Sequence, residues 1–254
     1  MTHADVACPL LDAGVDVLVE KPIAATLDDA ARILDAASRG GRILQVGHLE
    51  RFNPAVTALE KLVHLPLFFE VHRLSLFTPR SLDVDVVLDL MIHDLEIILA
   101  LTGKEPDEVR AAGISILSSK VDIANVRLSF PGGCVANITA SRVSTEKVRK
   151  VRVFQPSEYL SVDYSKQDLL AIAVSPTRQI QFKPVAVPKD EPLKLELEHF
   201  VDCVRERRAP RVGGFEALRA LRVALSIAEK IDEHAAVVAA TLASTGNSAS
   251  VPGV

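Results

Sequence analysis

The first part of the chain alternates short apolar runs with an amphipathic stretch. VDVLVE, residues 15–20, and RILQVG, residues 42–47, have the β-branched, apolar composition of buried strands. Between them, LDDAARILDAASR predicts a helix that begins after the N-cap residue Thr26 and ends at the glycine pair 40–41. A strand, a helix and a strand within about 30 residues form the pattern of a βαβ unit. The sequence therefore predicts a parallel sheet in this region.

From residue 105 onward the pattern changes to successive alternating runs. The turn residues Pro131-Gly132-Gly133 and Pro156-Ser157 predict two hairpin connections. The strand-like runs are DEVRAAGISIL, DIANVRLSF, GCVANITASRV, KVRKVRVFQ, EYLSVDY, QDLLAIAV and RQIQFKPVAV. Such a meander predicts a large antiparallel sheet with one buried face and one open face. Two helices are predicted after it, over Leu193–Arg207 and Phe215–His234.

Between these two regions, residues 86–101 (VVLDLMIHDLEIILAL) are apolar on nearly every side, which predicts a helix buried in a core. Asp89, His93 and Glu96 have the i, i+4, i+7 spacing that places side chains on one helix face. Asp89 and His93 are then expected within hydrogen-bonding reach. Two interpretations fit: a core histidine tied to a carboxylate, or a catalytic histidine whose tautomer Asp89 fixes. A metal site with His48 lacks the usual ligand spacing, so no metal is expected.

The composition is that of an ordinary globular protein, with 254 residues, 48% of them hydrophobic and 24% charged. A net charge of −4 argues against nucleic acid as the main partner. The three cysteines are isolated, so neither a disulfide framework nor a zinc pair is expected. No signal peptide is recognisable, and no uncharged apolar run reaches the ~18 residues that a membrane span requires. We therefore expect a cytoplasmic protein without a membrane partner.

Charged and imidazole side chains follow the ends of both early strands, where ligands bind in open α/β sheets. Lys21 follows the first strand, flanked by Glu20 and Pro22. The alternative for this lysine is a surface ion pair. His48 and Arg51 follow the second strand. Each has a structural alternative, since His48 can bond a backbone carbonyl and Arg51 can pair with an acidic neighbour.

Three motifs together carry a resemblance to a known family. They are Glu20-Lys21-Pro22 at a strand end, GHLERFNPA at residues 47–55, and DLMIHDLEIIL on the buried helix. In this order they resemble the Gfo/Idh/MocA oxidoreductases, over nearly the whole chain to about His234. Within that family, the second and third motifs are similar to those of enzymes that oxidise the 3-hydroxyl of UDP-N-acetylglucosamine-type sugars. Those enzymes serve surface polysaccharide or lipid A pathways.

The resemblance implies hydride transfer between a sugar carbinol and NAD or NADP. It matches Lys21 and His93 to the catalytic residues, with Asp89 as the partner of His93. A carbinol that loses a hydride must also lose its hydroxyl proton, so neutral His93 is expected to act as the base while Lys21 holds the oxygen. The expected cofactor contacts are Glu20, Lys21, Pro22, His48 and Arg51, and the expected substrate contacts are Lys21, Asn53, Asp89 and His93.

The expected fold is α/β plus α+β. Residues 1–55 are expected to form the C-terminal remnant of a Rossmann-type parallel sheet, because the GxGxxG turn of this family is absent from the sequence. Residues 56–239 are expected to form an α+β domain with a large, mainly antiparallel sheet, for substrate binding and oligomerisation. Residues 240–254 lack periodicity and are expected to be a disordered tail.

Two hypotheses stay open. The first is a sugar or nucleotide-sugar oxidoreductase that is incomplete as written, through a misassigned start, a fragment, or a truncated relative. The second is a non-catalytic module that associates through its sheet and has lost cofactor binding. Homodimers or homotetramers that form through the antiparallel sheet are expected in both cases.

Overall fold

A computed structural model describes residues 2–78, 84–175 and 177–244. The helices are α1 (His3–Asp12), α2 (Leu27–Gly40), α3 (Pro54–Leu62), α4 (Ile92–Thr102), α5 (Pro192–Glu206) and α6 (Gly214–Ser244). The strands are β1 (Val17–Glu20), β2 (Leu44–Gly47), β3 (Phe68–Leu76), β4 (Glu108–Ile114), β5 (Ile123–Ser129), β6 (Val135–Ser144), β7 (Val148–Gln155), β8 (Glu158–Asp163), β9 (Asp168–Val174) and β10 (Ile180–Val185). A 3₁₀ turn (Leu49–Phe52) precedes α3, and a π-helical turn (Val87–Met91) precedes α4.

The βαβ unit forms as predicted, with β1 and β2 paired in parallel. The hydroxyl of Thr26 accepts the backbone N–H of Asp29 at 3.1 Å and so caps α2, which ends where Gly41 adopts a φ of +59°. The apolar core of this unit also includes two residues of α6, Ala217 and Leu221. The last helix of the described chain therefore completes the core of its first strands.

The large sheet has eight strands in the order β10-β9-β8-β7-β3-β6-β5-β4. The expectation of a large, mainly antiparallel sheet is confirmed, and the parallel pair is β3 with β6. The predicted meander from residue 105 onward was wrong in one respect: β6 and β7 are not paired with each other, because β3 lies between them. The inner face of this sheet and α4 and α6 share one apolar core.

The other face of the sheet is open and carries a row of apolar side chains. The row consists of one residue from each of five adjacent strands. These residues are directly paired from strand to strand, so their side chains point to the same face of the sheet. Its members, named here the aromatic row, are Phe68, Phe154, Tyr159, Ile172 and Phe182. The rings of Phe154 and Tyr159 stack with centroids 4.7 Å apart. Phe182 is 66% exposed, so the row is accessible to a partner.

The buried stretch at 86–101 is helical as predicted, but it is not one regular α-helix. The backbone N–H of Ile92 bonds the carbonyl of Val87, the i→i+5 pattern of a π turn, before α4 begins. Asp85 caps this segment, because its Oδ1 accepts the N–H groups of Val87 and Leu88, both at 2.9 Å. Gly103, with a φ of +64°, ends it.

The last helix is longer than predicted. It continues to Ser244, so the expectation of a disordered tail was wrong for residues 240–244, while residues 245–254 lie outside the described part of the chain. The small and apolar residues at 235–244 are compatible with continued helix although they have little periodicity. None of the helices among the described residues has the length and apolar character to cross a membrane.

Candidate active site

Lys21, directly after β1, lies against the π turn. Its Nζ donates to the backbone carbonyl of Asp89 at 2.5 Å and lies 3.3 Å from Oδ1 of the same residue. The lysine side chain is 18% exposed, and its burial lowers the pKa of Lys21, while the Asp89 carboxylate opposes that effect. The structure therefore brings together two of the predicted site residues, one after a strand and one on a helical turn.

Two imidazoles lie next to each other at this position. The ring centroids of His48 and His93 are 6.0 Å apart, with the ring planes at 81°. His48 is 1% exposed, and within the described residues neither of its ring nitrogens has a hydrogen-bond partner. Among the described residues, Nδ1 of His93 also has no hydrogen-bond partner and is buried. Buried polar atoms without partners are uncommon, and they mark a place where a ligand would supply the missing hydrogen bonds.

The predicted hydrogen bond between Asp89 and His93 is not formed. Asp89 interacts with Lys21 instead, and Nδ1 of His93 has no partner in the described structure. The prediction assumed a regular α-helix with 3.6 residues per turn. The π turn has more residues per turn, so Asp89, which lies within it, and His93, which follows it, are not on the same helix face.

Both imidazoles are held in the neutral form. Burial, followed by the charges of Lys21 and Arg51, lowers the pKa of His48 to about 3. Burial also lowers the pKa of His93 well below its usual 6.5, and the nearby positive charges of Arg73, Lys21 and Arg149 add to this effect. Neutral imidazole has a free lone pair on one ring nitrogen, so His93 can accept a proton at neutral pH.

Two predicted ligand contacts have other partners. Arg51 donates to Glu96 at 2.5 Å and lies 2.8 Å from Glu60, so its guanidinium is committed to carboxylates inside the protein. Asn53 is 2% exposed and uses its whole amide: Nδ2 donates to Glu50 and to the carbonyl of Tyr164, and Oδ1 caps α3. Contacts from these side chains to cofactor or substrate therefore stay predictions, and both side chains already have partners within the core.

A buried ion network below the histidines was not predicted. Arg73 donates to both carboxylate oxygens of Asp94, at 2.6 and 2.9 Å, and to Glu50 at 3.1 Å. Its guanidinium also lies 5.3 Å from the centre of the Tyr164 ring. The signal was present in the sequence, since Arg73 continues the inward-facing alternation of Phe69 and Val71 along β3. An inward-facing arginine in a strand requires buried acidic partners.

The remaining predicted residues surround the strand ends. Pro22 is buried, and Glu20 is exposed opposite Gly47, the last residue of β2. Glu196 on α5 is 1% exposed, and burial, together with the charge of Glu20, raises the pKa of its carboxyl to about 7. Within the described residues, no three His, Cys, Asp or Glu side chains form a group that would hold a metal.

Comparison with known proteins identifies the family. Residues 1–48 match the oxidoreductase family with the NAD-binding Rossmann fold, GFO/IDH/MocA, and residues 68–155 match the GFO/IDH/MocA C-terminal domain. The chain is 36% identical over 232 residues to UDP-N-acetylglucosamine 3-dehydrogenase of Acidithiobacillus ferrooxidans, covering 89% of this chain and 74% of that protein. The chain belongs to the GFO/IDH/MocA oxidoreductase family. The predicted family and the predicted similarity to this subgroup are confirmed.

Other relatives agree with this assignment. The crystal structure of the same dehydrogenase, GnnA, superposes with a TM-score of 0.87 at 35% identity, covering 92% of this chain and 76% of that chain. The scyllo-inositol 2-dehydrogenase (NAD(+)) of Bacillus subtilis is 24% identical over 243 residues, covering 89% of this chain and 71% of that protein. This GFO/IDH/MocA chain is therefore an oxidoreductase of a family that uses a nicotinamide cofactor.

Proposed function

We propose that this oxidoreductase transfers a hydride between the 3-hydroxyl carbon of UDP-N-acetylglucosamine or a close analogue and NAD or NADP. The observation that carries the proposal is a histidine that burial holds in the neutral form, His93, near Lys21, the lysine that follows the first strand. Similarity to the Acidithiobacillus 3-dehydrogenase supports the choice of substrate.

The strand ends fit the nicotinamide end of such a cofactor. The unpartnered nitrogens of His48 are hydrogen-bonding groups for a carboxamide, and Gly47, which has no Cβ, allows Glu20 to lie directly against its backbone. Lys21 and Pro22 would form the other side. When bound, the nicotinamide supplies the hydride acceptor for alcohol oxidation.

His93 takes the role of general base. It is neutral, and its unpartnered ring can accept the hydroxyl proton of a carbinol while the hydride leaves the same carbon. Lys21 holds the substrate oxygen, and Asp89 keeps the ammonium group in position. In the reverse direction the same groups return the proton to the carbonyl oxygen.

The first test combines cofactor binding with turnover. NADH fluorescence titration is aided by the absence of tryptophan, and UDP-N-acetylglucosamine-dependent reduction of NAD or NADP gives the rate. We expect His93→Gln to lower kcat by about 10²-fold or more and to leave NADH affinity within about two-fold, since general base catalysis typically contributes 10²–10⁴-fold.

A matched control is His72→Gln, because His72 lies on β3 but alternates with the inward-facing Val71 and Arg73 and so points to the opposite face. It should retain normal turnover. If an uncharged polyol supports reduction of NAD or NADP and the nucleotide-sugar does not, the proposed substrate is contradicted. Absence of nicotinamide binding would favour the alternative of a non-catalytic module.

The same proposal includes self-association through the open face of the large sheet. The aromatic row crosses five neighbouring strands there, and exposed apolar patches of this kind are typical of subunit interfaces. A homodimer or homotetramer is therefore the expected assembly.

A further inference from the structure

A second arginine, Arg149, lies on the large sheet beside the buried ion network of the candidate site. It is on β7, on the inward face shared by Val151 and Val153, and it pairs directly with Arg73 on β3. The two arginines thus lie side by side on the same face of the sheet. Arg73 is almost completely buried, whereas the side chain of Arg149 is 35% exposed. This face of the sheet therefore has one enclosed guanidinium and one accessible guanidinium next to each other.

The accessible guanidinium has little to bind within the described structure. Arg149 lies 3.6 Å from Glu50, which is outside hydrogen-bonding distance, and its side chain makes no hydrogen bond to the described residues. Glu50 is already occupied, because its carboxylate accepts from Arg73 at 3.1 Å and from Asn53 at 3.3 Å. The planar donor group of Arg149 is therefore available to a ligand.

This accessible cation is close to the proposed base. Arg149 lies directly opposite Arg73, which binds Asp94, the residue after His93, and the positive charge of Arg149 contributes to the lowered pKa of His93. Tyr164 on the neighbouring chain segment donates its backbone N–H to the carbonyl of Arg149 at 3.0 Å, which fixes the backbone at this end of β7. Arg149 thus presents, from a rigid strand, an accessible guanidinium whose ion pair with Glu50, at 3.6 Å, is longer than a hydrogen bond.

We propose that Arg149 binds the diphosphate of the nucleotide-sugar and thereby selects a sugar with an anionic group at its anomeric position over the free sugar. This inference rests on the proposed function. A pyranose ring separates the 3-hydroxyl from the anomeric phosphate, so an anion is expected one sugar ring away from His93. Guanidinium groups match phosphate oxygens with two parallel hydrogen bonds, which a neutral sugar cannot accept in the same way.

The test is equilibrium binding by titration calorimetry to the full chain, with NADH in excess. The ligands are UDP-N-acetylglucosamine, UDP and free N-acetylglucosamine, and the proteins are wild type, Arg149→Gln, Arg149→Lys and Arg152→Gln. Arg152 is the matched control, since it lies on the same strand with a similar exposed fraction but on the opposite face, paired with Glu70.

We expect Arg149→Gln to weaken binding of both UDP ligands by about ten- to a hundred-fold, as for loss of charge-assisted hydrogen bonds. The affinity of this variant for the UDP ligands should also depend less on salt concentration than that of wild type. Arg149→Lys should fall between wild type and the glutamine variant, because it keeps the charge but not the fork. Arg152→Gln should bind like wild type. Unfolding midpoints of all four proteins show whether a variant is folded, and the lysine variant provides the readout if the glutamine variant is not.

Equal affinity of wild type and Arg149→Gln for UDP-N-acetylglucosamine would overturn this inference and leave the proposed function standing. In a separate titration with NADH, weakened NADH binding by Arg149→Gln with unchanged binding of the UDP ligands would also overturn it, because Arg149 would then bind an anionic group of the cofactor. Failure of the wild-type protein to bind UDP-N-acetylglucosamine would instead contradict the proposed function, and this inference with it.

Discussion

The imidazoles of His48 and His93 are neutral because they are buried next to positive charges, and this burial lowers the stability of the protein at low pH. In the folded protein the pKa of His48 is about 3, below the usual 6.5. Between these two pH values the unfolded chain binds a proton at His48 and the folded chain does not. The contribution of His48 to stability is therefore fully present above pH 6.5 and is lost as the pH falls towards 3.

We expect the free energy of unfolding of wild type to fall more steeply between pH 6 and pH 4 than that of His48→Gln. The difference in slope should approach about 1.4 kcal/mol per pH unit, which corresponds to one proton. Glu196, whose pKa is raised to about 7, acts in the opposite direction but equally in both proteins. Denaturant unfolding at several pH values measures the slopes. An unchanged slope would contradict burial of His48, and His64→Gln is the control because His64 is exposed.

At the level of single residues, the sequence could identify side chains at element ends better than side chains in the core. Lys21 and His48 follow strands, so their location near one another was predictable from sheet topology. The roles of Arg51 and Asn53 were not, because their partners come from distant segments such as Glu60 and the carbonyl of Tyr164. Such pairings depend on how α3 and the large sheet pack, which local patterns do not contain.

At the level of elements, the prediction was most successful where end signals are local. Thr26 caps the helix that follows it, as predicted, and Asn53, which is also a preferred N-cap residue type, caps α3. The π turn was missed because the apolar pattern at 86–101 is so continuous that it carries no information about helical pitch. The position of β3 within the sheet was missed because strand order depends on contacts between distant segments.

The paired ends of β1 and β2 permit a prediction at this scale. A Cβ atom at Gly47 would lie 2.8 Å from Oε2 of Glu20 and 3.3 Å from its Cα, closer than normal contact. We expect Gly47→Ala to lower the free energy of unfolding by about 1–3 kcal/mol, as overpacking does. Denaturant unfolding measures the change.

The cause of that loss is separable by a double-mutant cycle. If the new methyl group displaces the Glu20 carboxylate, then Gly47→Ala should lower the free energy of unfolding much less in the Glu20→Ala background than in wild type. Simple additivity of the two changes would show that the backbone of β1, and not the carboxylate, is displaced.

For the whole molecule, the aromatic row provides the test of assembly. We expect Phe154→Glu to shift the protein to a smaller species in light scattering after size-exclusion chromatography, because it places a charge in the middle of a proposed apolar interface. Val237→Glu is the control, since Val237 is similarly apolar and 64% exposed but lies on α6. A wild-type protein that is monomeric at all concentrations would contradict the proposed assembly.

The shared helix α6 also affects the order in which the chain gains its structure during synthesis. The strands β1 and β2 are among the first described residues, but Ala217 and Leu221 close their core. About 170 residues separate these parts, which corresponds to roughly 10–30 s of translation at ~5–20 residues per second. During that interval the nascent βαβ unit has an incomplete core and exposes apolar side chains, so chaperones that bind nascent chains have a defined segment and a defined time in which to act.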